Sequence, residues 1–302
     1  MEFYIGRFKG IERKTYELEV VTPMFLGGAD PKDVELRIPP IKGMLRFWWR
    51  ALHPDLANNN YDNLRKGESG LFGDAGGTYG KSSVKIQFSD IYNLPHSKFR
   101  PLPHSDVKKS VQFEGFNPAS DSKFKIIVTG PENIHKLFEF STIVGGLGKR
   151  NRRGFGSLLI KKEKQNGNSS IIDTLYNLIN EINPNSYKKC NENCLEISQP
   201  YSDKIDYPYL KKIQIGKENL DYNSLLKTIG ESSHKNKSDY TGFVEGQKRF
   251  SSPLYVSITK HGSNYVPIIS MLNVSFDPET QREHKIDKTQ FFINDIMNKG
   301  IN

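Results

Sequence analysis

The residues best suited to chemistry stand together in one run, Gly145-Gly146-Leu147-Gly148-Lys149-Arg150-Asn151-Arg152-Arg153-Gly154-Phe155-Gly156. Five glycines in twelve positions permit positive backbone φ and bare amide N–H groups, so the chain can approach phosphate oxygens closely. Lys149, Arg150, Arg152 and Arg153 bring four cations to the same place. A nucleotide P-loop does not fit: Ile143 stands where that pattern needs its first glycine, and Arg150 where it needs the hydroxyl that holds magnesium. Nor does the dinucleotide fingerprint, because Asn151 takes its last glycine position and the run follows a helical pattern rather than a strand. The phosphate backbone of a polymer suits the loop better. Lys149, Arg150, Arg152 and Arg153 would be the contacts, with amides around Gly146, Gly148 and Gly154 as donors. The plainer alternative is a mobile basic turn.

A second candidate lies at 41–52, where Ile41, Met44, Leu45, Trp48 and Leu52 fall at helical spacing. Lys42, Arg46 and Arg50, at i, i+4 and i+8, line another face and would extend a phosphate track. Trp48 reads as core rather than as a stacking platform, and Trp49 is read the same way. Gly43, near the helix start, leaves room for another chain to approach. His53 ends this helix; it is either a cap or a general base acting on RNA. Cys190 and Cys194 form a C-x3-C pair with no further ligand set beside them, so no metal or other cofactor is expected. The seven histidines are scattered, and no nucleophile elbow, zinc-protease motif or carboxylate cluster of metal-nuclease type occurs. No catalytic set is expected.

Composition agrees. The chain of 302 residues carries 43 Lys+Arg against 34 Asp+Glu, a formal +9. Up to residue 164 there are 27 basic and 18 acidic residues; after it the two signs balance at 16 each. A basic half joined to a neutral half points to a polyanionic partner for the first, or to a solvated lysine-rich surface. No apolar run is long enough to span a membrane, residues 1–7 show no secretory leader, and two cysteines make no disulfide framework. A cytoplasmic protein is expected.

These residues need elements to hold them. Period-two alternation predicts strands over 15–22, 34–38, 83–89, 123–129 and 157–161, and helical spacing predicts helices over 41–52 and 132–147. Residues 71–77 read as a loop, and 93–120, with four prolines, as a long excursion. Setting aside the hairpin partner at 34–38, the order is strand, helix, strand, strand, helix, strand. That order is the ferredoxin-like arrangement, an antiparallel sheet with helices on one face and the other face free. A polar linker is read at 162–170, dividing units 1–165 and 166–302. In the second unit, helices are expected over 171–182, 221–229 (Asp221 as cap) and 287–298, a loop over 187–206, and a hairpin of 253–260 with 265–274. The last strand of a second ferredoxin-like sheet is not visible.

The stretch from Tyr16 to Ala29, the run Glu35 to Leu52 with Lys42-Gly43-Met44-Leu45-Arg46-Phe47-Trp48-Trp49-Arg50, and the glycine loop together resemble the type III-B CRISPR RAMP proteins, specifically subunit one of the Cmr effector module. Leu71-Phe72-Gly73 and Arg249-Phe250-Ser251-Ser252-Pro253-Leu254 are similar to further motifs of that family. The resemblance implies an α+β protein of two ferredoxin-like, RRM-related domains. It further implies a non-catalytic subunit of an antiviral ribonucleoprotein, with CRISPR RNA, target RNA and other Cmr subunits as partners, near the guide's 3′ region. A metal-independent RAMP endoribonuclease using His53, and a protein–protein scaffold, are the competing readings.

Overall fold

Tyr16, Leu18 and Val20 alternate with Glu17 and Glu19 along the central strand of the first sheet, β1 (Ile11–Val20). The computed structural model describes residues 10–28, 33–57, 61–74, 76, 79–91, 94–103, 111–119, 122–161, 170–201, 205–276 and 285–298. After β1 come α1 (Ile38–Leu52), α2 (Tyr61–Phe72), β2 (Lys85–Ile91), the hairpin β3 (His96–Phe99) and β4 (Phe113–Phe116), then β5 (Lys123–Pro131), α3 (Glu132–Val144) and β6 (Leu158–Lys161). The sheet order is β2-β5-β1-β6, antiparallel throughout, which is the ferredoxin-like order. Tyr16, Leu18, Leu45, Trp48, Phe124 and Phe138 share one core between this sheet and its helices.

Three local expectations change. Residues 34–38 form no return strand; a single bridge from Val34 to Gly27 remains, and α1 begins at Ile38. Pro39 and Pro40 lie in the first turn of α1, ahead of the predicted start at Ile41, where a missing N–H costs nothing and the fixed φ suits a helix. The excursion over 93–120 carries the β3–β4 hairpin, and its residues 104–110 lie outside the described residues. So do residues 162–169 of the linker, the segment 1–7 and residues 75 and 77 of the predicted loop.

The second sheet is built from β7 (Tyr187–Asn191), β8 (Cys194–Ile197), β9 (Leu210–Ile215), β12 (Leu254–His261) and β13 (Asn264–Leu272), in the order β12-β13-β9-β8-β7. Helices α4 (Ile171–Ile182), α5 (Tyr222–Lys235) and α6 (Thr289–Met297) accompany it, with a small hairpin of β10 (Phe243–Glu245) and β11 (Lys248–Phe250). Asp221 caps α5, accepting from the amides of Asn223 and Ser224. The stretch 187–206, read as loop, holds β7 and β8: exposed Lys188, Lys189 and Glu192 mask their alternation. The place of the strand that the sequence does not show is taken by β8. It lies beside β9, where a ferredoxin-like sheet puts its last strand, but precedes β9 in the chain. Cys190 and Cys194 are bonded to each other, a staple within the β7–β8 hairpin that joins no distant segments.

The far face of the first sheet is not wholly free. Val21, Phe25 and Phe155 pack with Leu226, Ile229, Val256 and Ile258 in a second core, and Glu19, fully buried, is ion-paired to Lys161 at 2.5 Å and to Lys260 of β12. Burial opposes charging of Glu19, but the two lysines override it and hold the carboxyl below its ordinary range.

Candidate nucleic-acid interface

The glycine loop connects α3 to β6 and is anchored along its length. The Lys149 amide donates to the Phe25 carbonyl at 2.9 Å, that of Leu147 to Gly156 at 2.9 Å, and that of Gly156 to Pro23 at 2.9 Å. Thr22 Oγ1 donates to the Gly154 carbonyl at 2.6 Å and accepts from the Ser157 amide at 3.0 Å. Gly148 has φ +86°, and a Cβ there would stand 2.2 Å from the Phe25 carbonyl oxygen, so only glycine lets the two strands of backbone meet. The Gly146 carbonyl accepts from Asn151 Nδ2 at 3.1 Å. Gly154 does not offer a donor outward: its amide is spent on the Val256 carbonyl at 2.8 Å. An anchored loop of this kind is not the mobile turn of the plainer reading.

The four cations go separate ways. Lys149 is exposed, its Nζ 5.1 Å from the centre of the Phe113 ring. Arg150 has φ +62° and lies 6.0 Å from the Phe155 ring, with a buried Nε that finds no partner among the described residues. Arg152 donates from Nη1 to the Ser252 carbonyl at 2.6 Å and sits between Phe47 and Tyr255, 5.8 and 5.6 Å from their rings. Arg153 turns inward, donating to the Ser252 hydroxyl at 2.9 Å, the Thr241 carbonyl at 2.9 Å and the Leu254 carbonyl at 3.2 Å, against the Phe292 ring. It is a fastening between the halves of the chain rather than an outward contact. Among the described residues none of the four makes an ion pair with a carboxylate. Burial, reinforced by Arg150 and Arg152, pushes Arg153 down to about 9, and burial lowers Arg150 and Arg152 as well. Positive charge is thus gathered with dipoles and π faces for company and no compensating anion, an arrangement that an incoming phosphate would relieve.

Beside the loop runs a groove of about 530 Å³. Gly146, Gly148, Lys149 and Arg152 form one wall, and Gly43 and Phe47 of α1 the other. A Cβ on Gly43 would meet nothing within 4 Å, so the helix presents an open surface there. Trp48 and Trp49 are core, 0% and 5% exposed.

The cationic stripe of α1 does not join this groove. Arg46 Nε and Arg50 Nη1 both reach Glu68 Oε1 of α2, at 2.5 and 2.6 Å, and Glu68 is 7% exposed. Two of the three stripe cations are therefore committed to a buried carboxylate. Lys42, which makes no ion pair among the described residues, lines a separate cavity of about 550 Å³ with Arg46, Arg65 and Asp74. Burial and then Arg46 lower the Lys42 amine. His53 caps α1: its Nδ1 bonds the Trp49 carbonyl at 2.7 Å and its ring stacks on Trp49 at 4.3 Å. Burial pushes the imidazole below its ordinary value. Among the described residues no group of three or more His, Cys, Asp or Glu could hold a metal, and no helix is long and apolar enough to cross a membrane.

Sequence reasoning missed Glu68, Tyr255 and Ser252 as parts of the site. Glu68 had a signal: it lies at i+4 from Leu64 and i−4 from Phe72, both buried, so it occupies the inward stripe of α2.

Comparison with known proteins agrees with this architecture. Residues 17–159 match the model of the RAMP superfamily. CRISPR system Cmr subunit Cmr1-2 of Pyrococcus furiosus is 30% identical over 179 residues, which take in 48% of this chain and 94% of that protein. The chain belongs to the Cmr1 family of RAMP proteins. Cmr1-1 of the same organism is 24% identical over 316 residues, 90% of this chain and 91% of the relative. The crystal structure of Cmr1 from Pyrococcus furiosus in its apo form superposes with a TM-score of 0.56 at 18% identity, covering 95% of this chain and 97% of that one. A chain of the type III-B Cmr-beta complex, solved by cryo-EM bound to cognate target RNA and AMPPnP, superposes with a TM-score of 0.57 at 12% identity, covering 94% and 98%. At these identities the two structures speak for the fold, an α+β RAMP architecture of antiparallel sheets with helices.

Proposed function

We propose that this protein is a non-catalytic RNA-binding subunit of a type III-B CRISPR effector complex, working in the cytoplasm with other Cmr subunits. In this reading it contacts guide or target RNA through the phosphate backbone near the guide's 3′ region. Residues 1–165 supply the contact unit and 166–302 a second unit packed against it. The observation that carries the reading is the cation cluster of the glycine loop, paired with no carboxylate among the described residues and set along an open groove. Lys149, Arg150 and Arg152 are the contacts, aided by backbone around Gly146 and Gly148. Arg153 and Gly154 hold the loop in place. Lys42 marks a second, separate cationic spot, with Arg46 and Arg50 neutralised by Glu68. Such contacts fix position, while sequence is read by guide–target pairing.

The test is a mobility shift with the full chain and end-labelled single-stranded RNA, in chelator, at two salt concentrations. RNA of unchanged length, shifted less at high salt, is the expected result. Each phosphate neutralised contributes about −0.7 to the salt slope, so replacing Lys149, Arg150 and Arg152 together by alanine should reduce its magnitude by roughly 2. Discrete shortened RNA, abolished by His53→Ala, would give the case to the ribonuclease; absence of any shift at low salt would overturn RNA binding altogether.

A further inference from the structure

Four neighbouring aromatic rings form a group of their own outside both hydrophobic cores. Tyr240, Phe243, Phe250 and Phe276 are each half-buried, and none belongs to either core or to the residues packed against one. They pack on one another: Phe243 and Phe250 at 6.4 Å and 19°, Phe250 and Phe276 at 5.6 Å and 23°, Phe276 and Tyr240 at 5.7 Å. Phe243 and Phe250 are cross-strand partners in the β10–β11 hairpin, so both project from one face, while Val244 and Arg249, also partners, project from the other. Val244 is 60% exposed, and Arg249 is exposed with no ion pair among the described residues.

The hairpin is held at its base by the cationic loop. Arg153 bonds Thr241 just before β10 and Ser252 just after β11, and Arg152 bonds the Ser252 carbonyl. Gly242 has φ +83°, and a Cβ there would come within 2.7 Å of the Ser252 backbone, so glycine lets the two ends of the hairpin close on each other. The arginines that line or brace the groove therefore also set where the rings stand.

We propose that the β10–β11 hairpin is a base-stacking arm for single-stranded RNA, placing Phe243 and Phe250 against bases of the strand whose phosphates meet the glycine loop. The proposal rests on the RNA-binding reading above and adds a role for bases to it. The near-parallel, half-exposed rings form a short stack that a base of any identity can extend, Arg249 supplies a cation at the arm, and the arm is continuous with the phosphate contacts through Arg152. A sequence-tolerant stack suits a subunit that leaves sequence to guide–target pairing.

The test compares an ordinary single-stranded RNA with an abasic oligomer of the same length and charge, both bound to the full chain. The native protein should bind the base-bearing strand about tenfold more tightly. Phe250→Leu, which keeps apolar bulk but removes the ring, should bring that ratio close to one with abasic binding unchanged. Lys149→Ala should weaken both and preserve the ratio. A 4-thiouridine strand should photocrosslink to the peptide containing Phe243 or Phe250. If the native protein binds both strands equally, or Phe250→Leu leaves the ratio intact, the arm is wrong while phosphate binding stands. If the native protein binds neither strand at low salt, both readings fall.

Discussion

Arg153 donates from Nη1 to the Ser252 hydroxyl at 2.9 Å, joining positions 99 residues apart. The contact divides the glycine loop into two kinds of cation: Lys149 is exposed, whereas Arg153 is spent on the protein's own carbonyls. Arg153→Ala should therefore lower stability by about 2–3 kcal/mol, since it strands acceptors that now receive charge-assisted bonds. Lys149→Ala should leave the melting temperature unchanged and reduce the salt slope of RNA binding by about 0.7. Thermal melts and salt titrations of the two variants check this; equal melting temperatures would refute the division.

Glu68 balances Arg46 and Arg50 from the α2 side. Glu68→Gln should cost about 1–2 kcal/mol, less than for a fully buried pair because both arginines are 39% exposed. It should leave RNA affinity no weaker than before, since no phosphate contact is removed. A fall in affinity at unchanged stability would place Glu68 in the interface instead.

Gly148→Ala should be more damaging to binding than its size suggests. Its φ of +86° and the 2.2 Å approach to the Phe25 carbonyl leave no room for a methyl group, so the loop must move away from Phe25. A loss of at least about 1 kcal/mol in stability, with weakened RNA binding, is expected. Gly43→Ala is the contrast: its Cβ meets open space, so folding should survive, and any loss reports on the groove alone.

Stability should fall on mild acidification. His53 and His135 are both held below the ordinary value of 6.5, in each case chiefly by burial. The folded state therefore binds fewer protons than the unfolded one below about pH 6.5, and stability drops as pH falls through that region. His135 is 0% exposed, between the Tyr16 hydroxyl and the Glu12 carbonyl. His135→Gln should flatten the decline in melting temperature between about pH 7 and 5.5; an unchanged slope would remove His135 from the account. Glu19 is held below 4.5, so its contribution is kept through this window and lost only at lower pH.

The first sheet was legible because its strands alternate and its helices carry apolar stripes; Tyr16, Leu18, Phe124 and Ile126 all turn inward as their spacing predicts. What escaped was set by partners far along the chain. Residues 34–38 alternate like a strand, yet among the described residues their only bridge is to Gly27, and the prolines favour a helix start. β7 and β8 are short, and their exposed positions are charged or polar, so no apolar period appears. At the site, the cationic run at 149–153 was visible as composition, but the division of labour within it depends on Ser252, Thr241 and Tyr255. No local spacing announces those neighbours.

The placement of β1 at the centre of its sheet has a consequence for synthesis on the ribosome. Its neighbours are β5 and β6, which begin at Lys123 and Leu158, so both edges of β1 await chain not yet made. At roughly 5–20 residues per second, the strand spends on the order of 5–20 s unpaired, with bare amides and its apolar face of Tyr16, Leu18 and Val20 uncovered, before its partners exist. During that interval β1 is held by neither neighbour, whereas the β7–β8–β9 meander can pair almost as soon as it emerges.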